Sequence, residues 1–389
     1  MTKIDKLIKE LCPKGIEFKE LGELASIETG EQLNKTAMTK IGDYLVLNGG
    51  INPSGFYPEY NTEENTIAIS QGGASAGYVN FVRTKFWAGA HCFVVKPKTK
   101  EIENRYLYFI LKNNQEKLQN AKLGAGIPGL NKKELQNLNI PVPPIQIQLE
   151  IVRILDSFTE LEAELEAELE ARKKQYEYYR DELLSFEERE RVRWLTMGEI
   201  GTLIRGNGLP KSDFTEKGIG CIHYGQIYTY YGTYTNKTKS FVSTETAKKL
   251  QKVQKNDLII TNTSENVEDV CKTVVWLGEN EIVTGGHATI FKHKENPKYL
   301  AYYTQTNMFF DQKKRLAKGT KVIDVSAKDL TKIKIPLPSL EEQERIVKIL
   351  DKFDALVNDI SIGLPAELNA RIEQYEYYRE KLLAFEERV

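Results

Sequence analysis

The chain has 389 residues with a formal net charge of −1, and 41% of its residues are hydrophobic. This length is enough for two domains of ordinary size with connecting elements. It has no apolar run of the roughly 18 residues that a membrane span needs, and its first residues, MTKIDKLIKELC, have no signal-peptide core, so we expect a cytoplasmic protein. The four cysteines stand apart, without a CxxC motif or a nearby histidine pair, and favour neither a zinc site nor a disulfide framework.

Residues 1–145 predict a first globular domain of mixed strands and helices. Short β-branched or aromatic runs at residues 66–70 and 91–95 alternate with glycine-containing turns, and residues 106–118 are helical in character. A loop rich in small residues and glycine, SQGGASAGYVNF at residues 70–81, separates the two strands. A glycine loop at residues 124–131 precedes a short helix, for which Asn131 is the expected N-cap.

Residues 146–191 predict a long helix. From Ile151 to Phe186 the apolar residues recur at spacings of three and four, and the segment EAELEAELEARK contains no glycine or proline. A helix of about 40 residues would be roughly 60 Å long. A continuous narrow seam of this length indicates a coiled-coil partner rather than a helix lying on one domain.

Residues 192–339 predict a second globular domain, and residues 340–389 a second long helix. Strands are expected at residues 257–261, 272–277 and 288–291, and Ser326 is the expected N-cap of another short helix. The second long helix contains SIGLPAEL, in which Gly363 and Pro365 disfavour a continuous helix. We expect a kink or short break near residues 362–364 and a restart at Pro365.

The two halves of the chain are copies of one module. QYEYYR occurs at residues 175–180 and 374–379, and IPVPPIQIQLEIVRILDSF at 140–158 is matched by IPLPSLEEQERIVKILDKF at 335–353. GAHCFVV at 89–95 is likewise matched by GGHATIF at 285–291. A duplicated module presents two copies of one surface, which suits a target with two separated half-sites. The fold expected is therefore α/β, in the mixed α+β sense. We expect two globular domains in a pseudo-twofold repeat, separated by two long helices that can pack antiparallel as a coiled coil.

The charge is distributed unevenly in a way that favours DNA as the target. Residues 31–139 carry 13 basic and 9 acidic residues, and residues 207–334 carry 20 and 13, so both globular segments are positive. Residues 146–191 carry 7 basic and 14 acidic residues, and residues 340–389 carry 7 and 12. Positive domains beside negative helices are the electrostatic pattern expected of a nucleic-acid-binding protein, although solvated lysine-rich loops would give the same counts.

The loops differ between the two copies while the framework matches, which indicates different DNA targets. Residues 261–273, TNTSENVEDVCKT, replace the glycine-rich loop of the first copy, and residues 223–239 interleave tyrosines with lysines. Such loops are also found as ordinary solvated loops or as packed hairpins. The residues that we predict to contact DNA are Lys35, Gln71, Ser75, Tyr78, Arg83, Lys85, Tyr224, Gln226, Tyr228, Asn262, Ser264, Asn266, Lys272 and Lys321.

No constellation for catalysis is found. His91 and His287 hold matching positions after glycines, but no repeated carboxylate, cysteine or serine accompanies them, so a strand-start or phosphate-contact role is expected. The chain lacks a GxxxxGK[ST] loop, an NPP(Y/F) or FxGxG motif and a PD…(D/E)xK constellation. We therefore expect a non-catalytic chain that binds no metal.

The repeated segments, QYEYYR and the matched stretches at 140–158 and 335–353, occur in the same order in both copies. With them the chain resembles the specificity subunit of type I restriction–modification systems over essentially the full length. The resemblance implies that each globular domain is a target recognition domain, which reads one half of a bipartite, asymmetric DNA site, and that the antiparallel helices set the spacer. It also implies two modification subunits, which bind S-adenosylmethionine and methylate adenine, and two ATP-dependent restriction subunits, so that S-adenosylmethionine, ATP and Mg are expected on partner subunits only. We expect Tyr176, Tyr179, Tyr375 and Tyr378 to be exposed on the helices and to dock modification subunits, although they could instead pack the helical seam. The alternative reading is a coiled-coil scaffold whose globular ends bind proteins.

Overall fold

The computed structural model describes residues 3–121, 129–186 and 192–387. The chain folds into two compact units. Unit 1 comprises Met1–Glu164 together with Asn369–Val389, and unit 2 comprises Leu165–Leu368. The sequence repeat instead divides the chain at the ends of the long helices, so the two divisions differ in where they assign the helical residues. Most of the glycine loop at 124–131, and residues 187–191 and 388–389, lie outside the described residues.

In its described residues, unit 1 combines nine strands with short helices, as the sequence predicts for a mixed α/β domain. Its strands are β1 (Phe18–Glu20), β2 (Ala25–Thr29), β3 (Tyr44–Leu47), β4 (Gly55–Tyr57), β5 (Thr66–Ser70), β6 (Val79–Val82), β7 (Phe86–Ala88), β8 (Cys92–Pro97) and β9 (Asn139–Pro141). Its short helices are α1 (Lys3–Leu11), α2 (Leu21–Leu24), α3 (Asn104–Asn113), α4 (Gln115–Asn120) and α5 (Lys132–Gln136), with a 3₁₀ turn at Lys35–Ala37.

Two sheets form the framework of unit 1. One is antiparallel with the order β2-β8-β5-β6, and the other has the order β4-β3-β7 with β3 and β7 parallel. β5 is buried along its whole length because it is central and apolar on both faces. Its last residue, Ser70, pairs with Cys92 at the start of β8. The loop after β5 and the turn before β8 therefore lie at the same end of the sheet.

Unit 2 repeats this framework with added elements. Its strands are β10 (Arg193–Thr196), β11 (Thr202–Arg205), β12 (Phe214–Thr215), β13 (Ile219–Ile222), β14 (Tyr234–Thr235), β15 (Ser240–Val242), β16 (Gln251–Val253), β17 (Leu258–Thr261), β18 (Thr263–Ser264), β19 (Thr273–Trp276), β20 (Ile282–Thr284), β21 (Ala288–Lys292), β22 (Ile323–Asp324) and β23 (Lys334–Leu337). The helical elements are α7 (Met197–Ile200), α8 (Tyr224–Thr229), α9 (Thr244–Lys249), α10 (Pro297–Tyr303), α11 (Asn307–Leu316) and α12 (Ala327–Leu330). A 3₁₀ turn lies at Lys211–Asp213.

The sheet order confirms the internal repeat. β11-β21-β17-β19 matches β2-β8-β5-β6, and the parallel pair β13 and β20 matches β3 and β7. Unit 2 adds β14, which extends the first sheet, and β12, α8, α9 and β16 around the second, whereas β15 matches β4 because each pairs antiparallel with the first strand of its parallel pair. Asn131 and Ser326 cap α5 and α12 through their side chains, as predicted.

The first long helix, α6, is continuous over 40 residues from Ile145 to Leu184. In unit 1 its apolar residues Ile147, Ile151 and Leu155 are buried, and Phe158 stacks on Tyr378 with ring centroids 5.5 Å apart. In unit 2 the later residues Tyr176 and Tyr179 stack on Phe353 at 6.3 and 5.7 Å. Later residues of α6 thus pair with earlier residues of the second helical segment. The helices are antiparallel, as predicted.

The second helical segment is interrupted. Helix α13 (Leu340–Asn358) ends at a turn over residues 359–363, and α14 (Leu364–Leu383) begins with Pro365 in its first turn. Gly363 leaves no room for a side chain, because a Cβ there would lie 2.7 Å from the carbonyl oxygen of Leu356. The predicted break is confirmed, and it begins three residues earlier than expected, after Asn358.

The end of the chain completes unit 1. Tyr375 and Leu383 of α14 belong to the same buried cluster as Leu21, Tyr106 and Ile151. The backbone N–H of Ile16 donates to the carbonyl of Glu386 at 3.1 Å. The first and last segments of the chain are therefore parts of one core.

Candidate nucleic-acid interface

Three segments of unit 1 meet at the end of the sheet where β5 stops, here called the loop end. They are residues 48–54 after β3, residues 71–78 after β5 (the first variable loop) and residues 89–91 before β8. The N–H of Gln71 donates to the carbonyl of His91 at 2.8 Å, and Asn48 Oδ1 accepts from the N–H of His91 at 3.2 Å. Gly49 has a φ of +82° at this crossing, which a residue with a side chain rarely adopts.

Unit 2 builds the same crossing from different residues. The N–H of Asn262 donates to the carbonyl of His287 at 2.8 Å, the counterpart of Gln71 with His91. Behind it, Val325 N–H donates to Asn262 O as Leu130 N–H does to Gln71 O. Residues 262–272 form the second variable loop, which lies where β17 stops, at the loop end of unit 2. Both units therefore present a loop of different sequence on the same backbone frame.

In unit 1 the structure brings three of the six predicted residues to the loop end. Gln71, Ser75 and Tyr78 lie half-buried in the first variable loop. Arg83 and Lys85 do not lie there, because they follow the end of β6 whose Val82 pairs with Thr66, at the opposite end of β5.

Lys85 is also engaged within its own unit. Its Nζ donates to the Tyr60 hydroxyl at 2.9 Å and lies 3.2 Å from Glu63 Oε2, and these hydrogen bonds raise its pKa. Lys35 is exposed on its 3₁₀ turn. The DNA-contact predictions for Lys35, Arg83 and Lys85 have no geometric link to the loop end.

In unit 2, Tyr224, Ser264 and Asn266 line a cavity of about 440 Å³ at the loop end. Val322, which is 60% exposed, and the carboxylates of Glu265 and Asp269 line it as well. Lys272 and Lys321 are exposed nearby in sequence, and Lys272 Nζ donates to the carbonyl of Tyr228 at 3.2 Å. Acceptors, an aromatic ring and an apolar side chain are the groups with which proteins contact base edges.

Three residues of unit 2 that were predicted to contact DNA instead use their side chains in hydrogen bonds within the unit. Asn262 is fully buried; its Nδ2 donates to the carbonyl of Val325 at 2.7 Å and its Oδ1 accepts from Thr289 at 3.0 Å. Gln226 caps α8 by accepting from the N–H of His223, and its Nε2 donates to Ser240 Oγ at 2.6 Å. The prediction that these amides face a ligand is wrong for Asn262, because its side chain is fully buried and hydrogen-bonded within unit 2.

Tyr228 is the third of these residues. Its hydroxyl donates to Thr261 Oγ1 or to the Thr263 carbonyl, at 2.6 and 2.9 Å. Burial raises the pKa of this phenol to about 12. The Tyr228 ring still lines the 440 Å³ cavity, while its hydroxyl is hydrogen-bonded within unit 2.

Two histidine rings that were not among the predicted contacts, those of His223 and His287, lie beside Tyr224 at the loop end of unit 2. The Tyr224 ring lies 4.5 Å from the His223 ring and 4.8 Å from the exposed ring of His287, whose Nδ1 lies 3.1 Å from Thr263 Oγ1. Burial, Lys211 and His287 lower the pKa of His223, which favours the neutral ring. The repeated histidine after glycine was the sequence signal for this position. His91 and His287 lie directly before β8 and β21, as expected.

The helix tyrosines divide into buried and exposed residues. Tyr176 and Tyr375 are only 4% and 9% exposed and belong to the unit cores, so the expected exposure is wrong for them. They pack in the helical seam, where α6 meets α13 and α14. Tyr179 and Tyr378 are 38% and 37% exposed, and the unpredicted Tyr178 and Tyr377 reach 65% and 58%.

Neither a metal site nor a membrane-spanning helix is found in the described parts of the chain. In residues 3–121, 129–186 and 192–387, no cluster of three or more His, Cys, Asp or Glu side chains could hold a metal ion. None of the helices described is long and apolar enough to cross a bilayer.

Two units with one frame and two different polar loops define a protein with two recognition surfaces. The profile of the type I restriction modification DNA specificity domain matches residues 13–171 and again residues 192–370. A Haemophilus influenzae chain described as a type I restriction enzyme specificity subunit is 32% identical over 95% of this chain and 96% of its own length. The EcoR124I/EcoR124II specificity subunit of Escherichia coli is 38% identical over 63% of this chain and 61% of its own length.

Solved structures share the fold. The S subunit of a type I restriction–modification system from M. genitalium superposes with a TM-score of 0.59 at 21% identity, covering 95% of this chain and 96% of that one. A chain from a study of complex assembly in the type I R-M system gives 0.62 at 17% identity, with 95% and 98% covered. The chain belongs to the family of type I restriction–modification DNA specificity subunits. Its role is DNA sequence recognition, and the scaffold alternative is not supported.

Proposed function

We propose that each unit reads one half of a bipartite DNA site with its loop end, and that the two halves differ because the variable loops differ. The observation that carries this proposal is the shared crossing, in which Gln71 with His91 and Asn262 with His287 make the same 2.8 Å hydrogen bond. An identical frame supports loops that share no sequence. Framework and specificity are thus separated in the way that a reader of two different half-sites requires.

The proposal extends to the partners and to the chemistry. The H. influenzae and E. coli relatives are described as subunits of restriction enzymes, which implies that the chain acts in a complex. We propose two modification subunits and two restriction subunits, with S-adenosylmethionine, ATP and Mg bound by these partners and with adenine as the methylated base. The chain itself then carries no catalytic residue and binds no cofactor, and it works in the cytoplasm, where chromosomal DNA is found.

The proposal also gives the helices two functions. The continuous α6 sets the length of the spacer between the half-sites, since a helix without glycine or proline is the stiffest element available to the chain. The exposed Tyr179 and Tyr378, at 38% and 37%, offer docking groups for modification subunits. Amphipathic tyrosines of this kind are enriched in protein interfaces.

The test is to sequence modified bases in a host that expresses the chain with its modification subunit, compared with the same host lacking the chain. We expect methylated adenines in one split motif that vanish when the chain is absent. The purified chain alone, supplied with S-adenosylmethionine, is expected to transfer no methyl group. Methyl transfer by the isolated chain, or methylation of a single undivided motif, would show that the proposal is wrong.

A further inference from the structure

A lysine from the helical layer holds the first variable loop. Lys112 lies on α3, and its Nζ donates to the carbonyl of Val79 at 3.2 Å and to Gln115 Oε1 at 2.9 Å. Gln115 Oε1 also accepts from the N–H of Val79 at 3.0 Å, and Lys112 Nζ lies 4.3 Å from the ring centroid of Tyr78. The ammonium group therefore fixes the point at which the loop returns to β6.

A lysine holds the second variable loop in the same way. Lys313 lies on α11 and is 6% exposed, and its Nζ donates to the carbonyls of Glu268 and Val270 at 2.7 and 2.6 Å. The next residue, Cys271, has a φ of +67°, a strained value for a residue with a side chain. Lys313 thus fixes the strained return of this loop to β19.

The two lysines are not equivalent positions of the repeat. Tyr106 and Tyr299 correspond, since each donates its hydroxyl to the carbonyl of the first proline of an IPxP segment. Counting from this pair, the counterpart of Lys112 is Gln305, whereas Lys313 lies on the next helix. Helices at different positions of the repeat therefore supply an ammonium group to the corresponding variable loop of each unit. Burying a charged lysine is unfavourable unless its hydrogen bonds are satisfied, so two independent cases indicate a requirement of the loop itself.

We propose that Lys112 and Lys313 are positioning residues, each of which sets how strictly its own unit rejects a wrong base pair. The inference rests on the proposed function, in which each unit reads one half-site. A loop held at its return point cannot adapt to a mismatched base pair and loses little conformational freedom on binding the correct one. Both lysines contact backbone carbonyls, so they hold the loop without taking part in base contacts.

The test replaces each lysine by methionine in the full chain, expressed with its modification subunit in a host free of adenine methylation. Modified-base sequencing then gives the methylated fraction at sites carrying one mismatch in either half. We expect Lys112→Met to raise methylation at mismatches in one half about tenfold, which is within the discrimination that a single base pair provides. Lys313→Met should do so in the other half, and fully matched sites should stay methylated in both variants.

Matched controls come from neighbouring exposed lysines. Lys117→Met and Lys314→Met remove a charge from α4 and α11 without touching a loop carbonyl, and they should leave mismatch methylation unchanged. Lys112→Arg and Lys313→Arg keep the charge and donors and should restore discrimination. If a methionine variant does not fold, as judged by its thermal unfolding, Gln115→Leu in unit 1 and Lys313→Gln in unit 2 weaken the same contacts more mildly.

The outcomes separate this inference from the proposed function. Unchanged mismatch methylation in folded variants, or an equal rise in both halves, would overturn the positioning role. A wild-type chain that directs no split motif at all would instead overturn the proposed function.

Discussion

Two asparagines of the second variable loop, Asn262 and Asn266, have opposite environments. Asn262 is fully buried and satisfies the carbonyl of Val325 and the hydroxyl of Thr289. Asn266 is exposed, and its amide bonds to Asp269, its neighbour in the same turn. One residue type at two nearby positions therefore supports the fold in one case and is available to a ligand in the other.

Asn262→Ala is expected to lower the free energy of unfolding of unit 2 by about 2–4 kcal/mol, because it leaves two buried partners without a hydrogen bond. Asn266→Ala should cost less than about 1 kcal/mol and should instead weaken binding to the target duplex. Denaturant unfolding and DNA-binding titrations of both variants check this pair. Equal losses of stability would contradict the assignment.

The free energy of unfolding of unit 1 is expected to depend on the protonation of Glu150 at acid pH. Its side chain is 8% exposed and pairs with Lys3 and Arg153 at 2.9 and 2.8 Å, and these hydrogen bonds lower its pKa from 4.5 to about 2. Because the folded state favours the charged carboxylate, the stabilisation is complete above about pH 4.5 and is lost as the pH falls toward 2. Glu150→Gln should therefore lower the unfolding temperature at pH 7, and the difference should shrink by pH 3. A difference that stays constant over this range would exclude the linkage.

Sequence reasoning located the variable loops but not the orientation of their side chains. Gln71 and Asn266 were placed in the variable loops because polar residues followed predicted strands, and Tyr224 was singled out because tyrosines and lysines alternate in residues 223–239. Asn262 was misassigned because its hydrogen-bond partners lie 27 and 63 residues away in the chain, where no local pattern reveals them. The lysine contacts to loop carbonyls were equally invisible, since a lysine on a short helix is ordinarily solvated.

At the scale of elements, Gly363 decides the course of the second helical segment. A methyl group there would lie 2.7 Å from the Leu356 carbonyl and 2.8 Å from that of Asp359. Gly363→Ala should therefore destabilise the protein by about 1–3 kcal/mol, as expected when an atom is forced into a packed site. In a continuous helix the same substitution would stabilise by about 1 kcal/mol, since alanine is the better helix former. The sign of the change in denaturant unfolding distinguishes the two structures.

Helix α6 offers a test of the spacer proposal. Duplicating the ELEA unit at residues 164–167 adds about 6 Å of helix and nearly keeps the phase of the seam, because four residues are close to one turn. With about 3.4 Å of rise per base pair, the methylated motif should keep both halves and gain one or two spacer positions. Modified-base sequencing of the insertion variant measures this directly. A folded, active variant that methylates the original spacing would show that α6 does not set the distance.

The elements were predictable to the extent that their signals were local. Helix α6 followed from an apolar seam without glycine or proline, and β5 and β17 followed from short buried runs. The break after Asn358 began before Gly363 because the turn over residues 359–363 closes on Asp359, whose side chain accepts from the N–H of Ser361 at 2.7 Å. Helix α8 was missed because its tyrosine-rich sequence reads equally well as a strand, and its N-cap His223 is not a usual capping residue.

For the whole molecule, the two-reader arrangement predicts modular exchange. Replacing residues 31–139 with the equivalent segment of a relative keeps β1, α2, β2 and all of α6, and changes the first variable loop together with its supporting helices. The methylated motif should then change in one half and remain as it was in the other. Sequencing the modified bases of the chimera checks this, with an exchange of residues 207–334 as the reciprocal control. Simultaneous change of both halves would contradict independent reading.

The closure of unit 1 by the end of the chain has a consequence for synthesis. Residues 165–368, about 200 in number, lie between the two segments of this unit, so a ribosome adding roughly 5–20 residues per second leaves its core incomplete for about 10–40 s. Throughout that time the surface that receives Tyr375 and Leu383 is open to water, chaperones and neighbouring nascent chains. A polypeptide truncated after Leu368 would contain all of unit 2 but would lack the last segment of unit 1. We expect such a product to be cut by proteases more readily than a chain in which α14 has packed into unit 1.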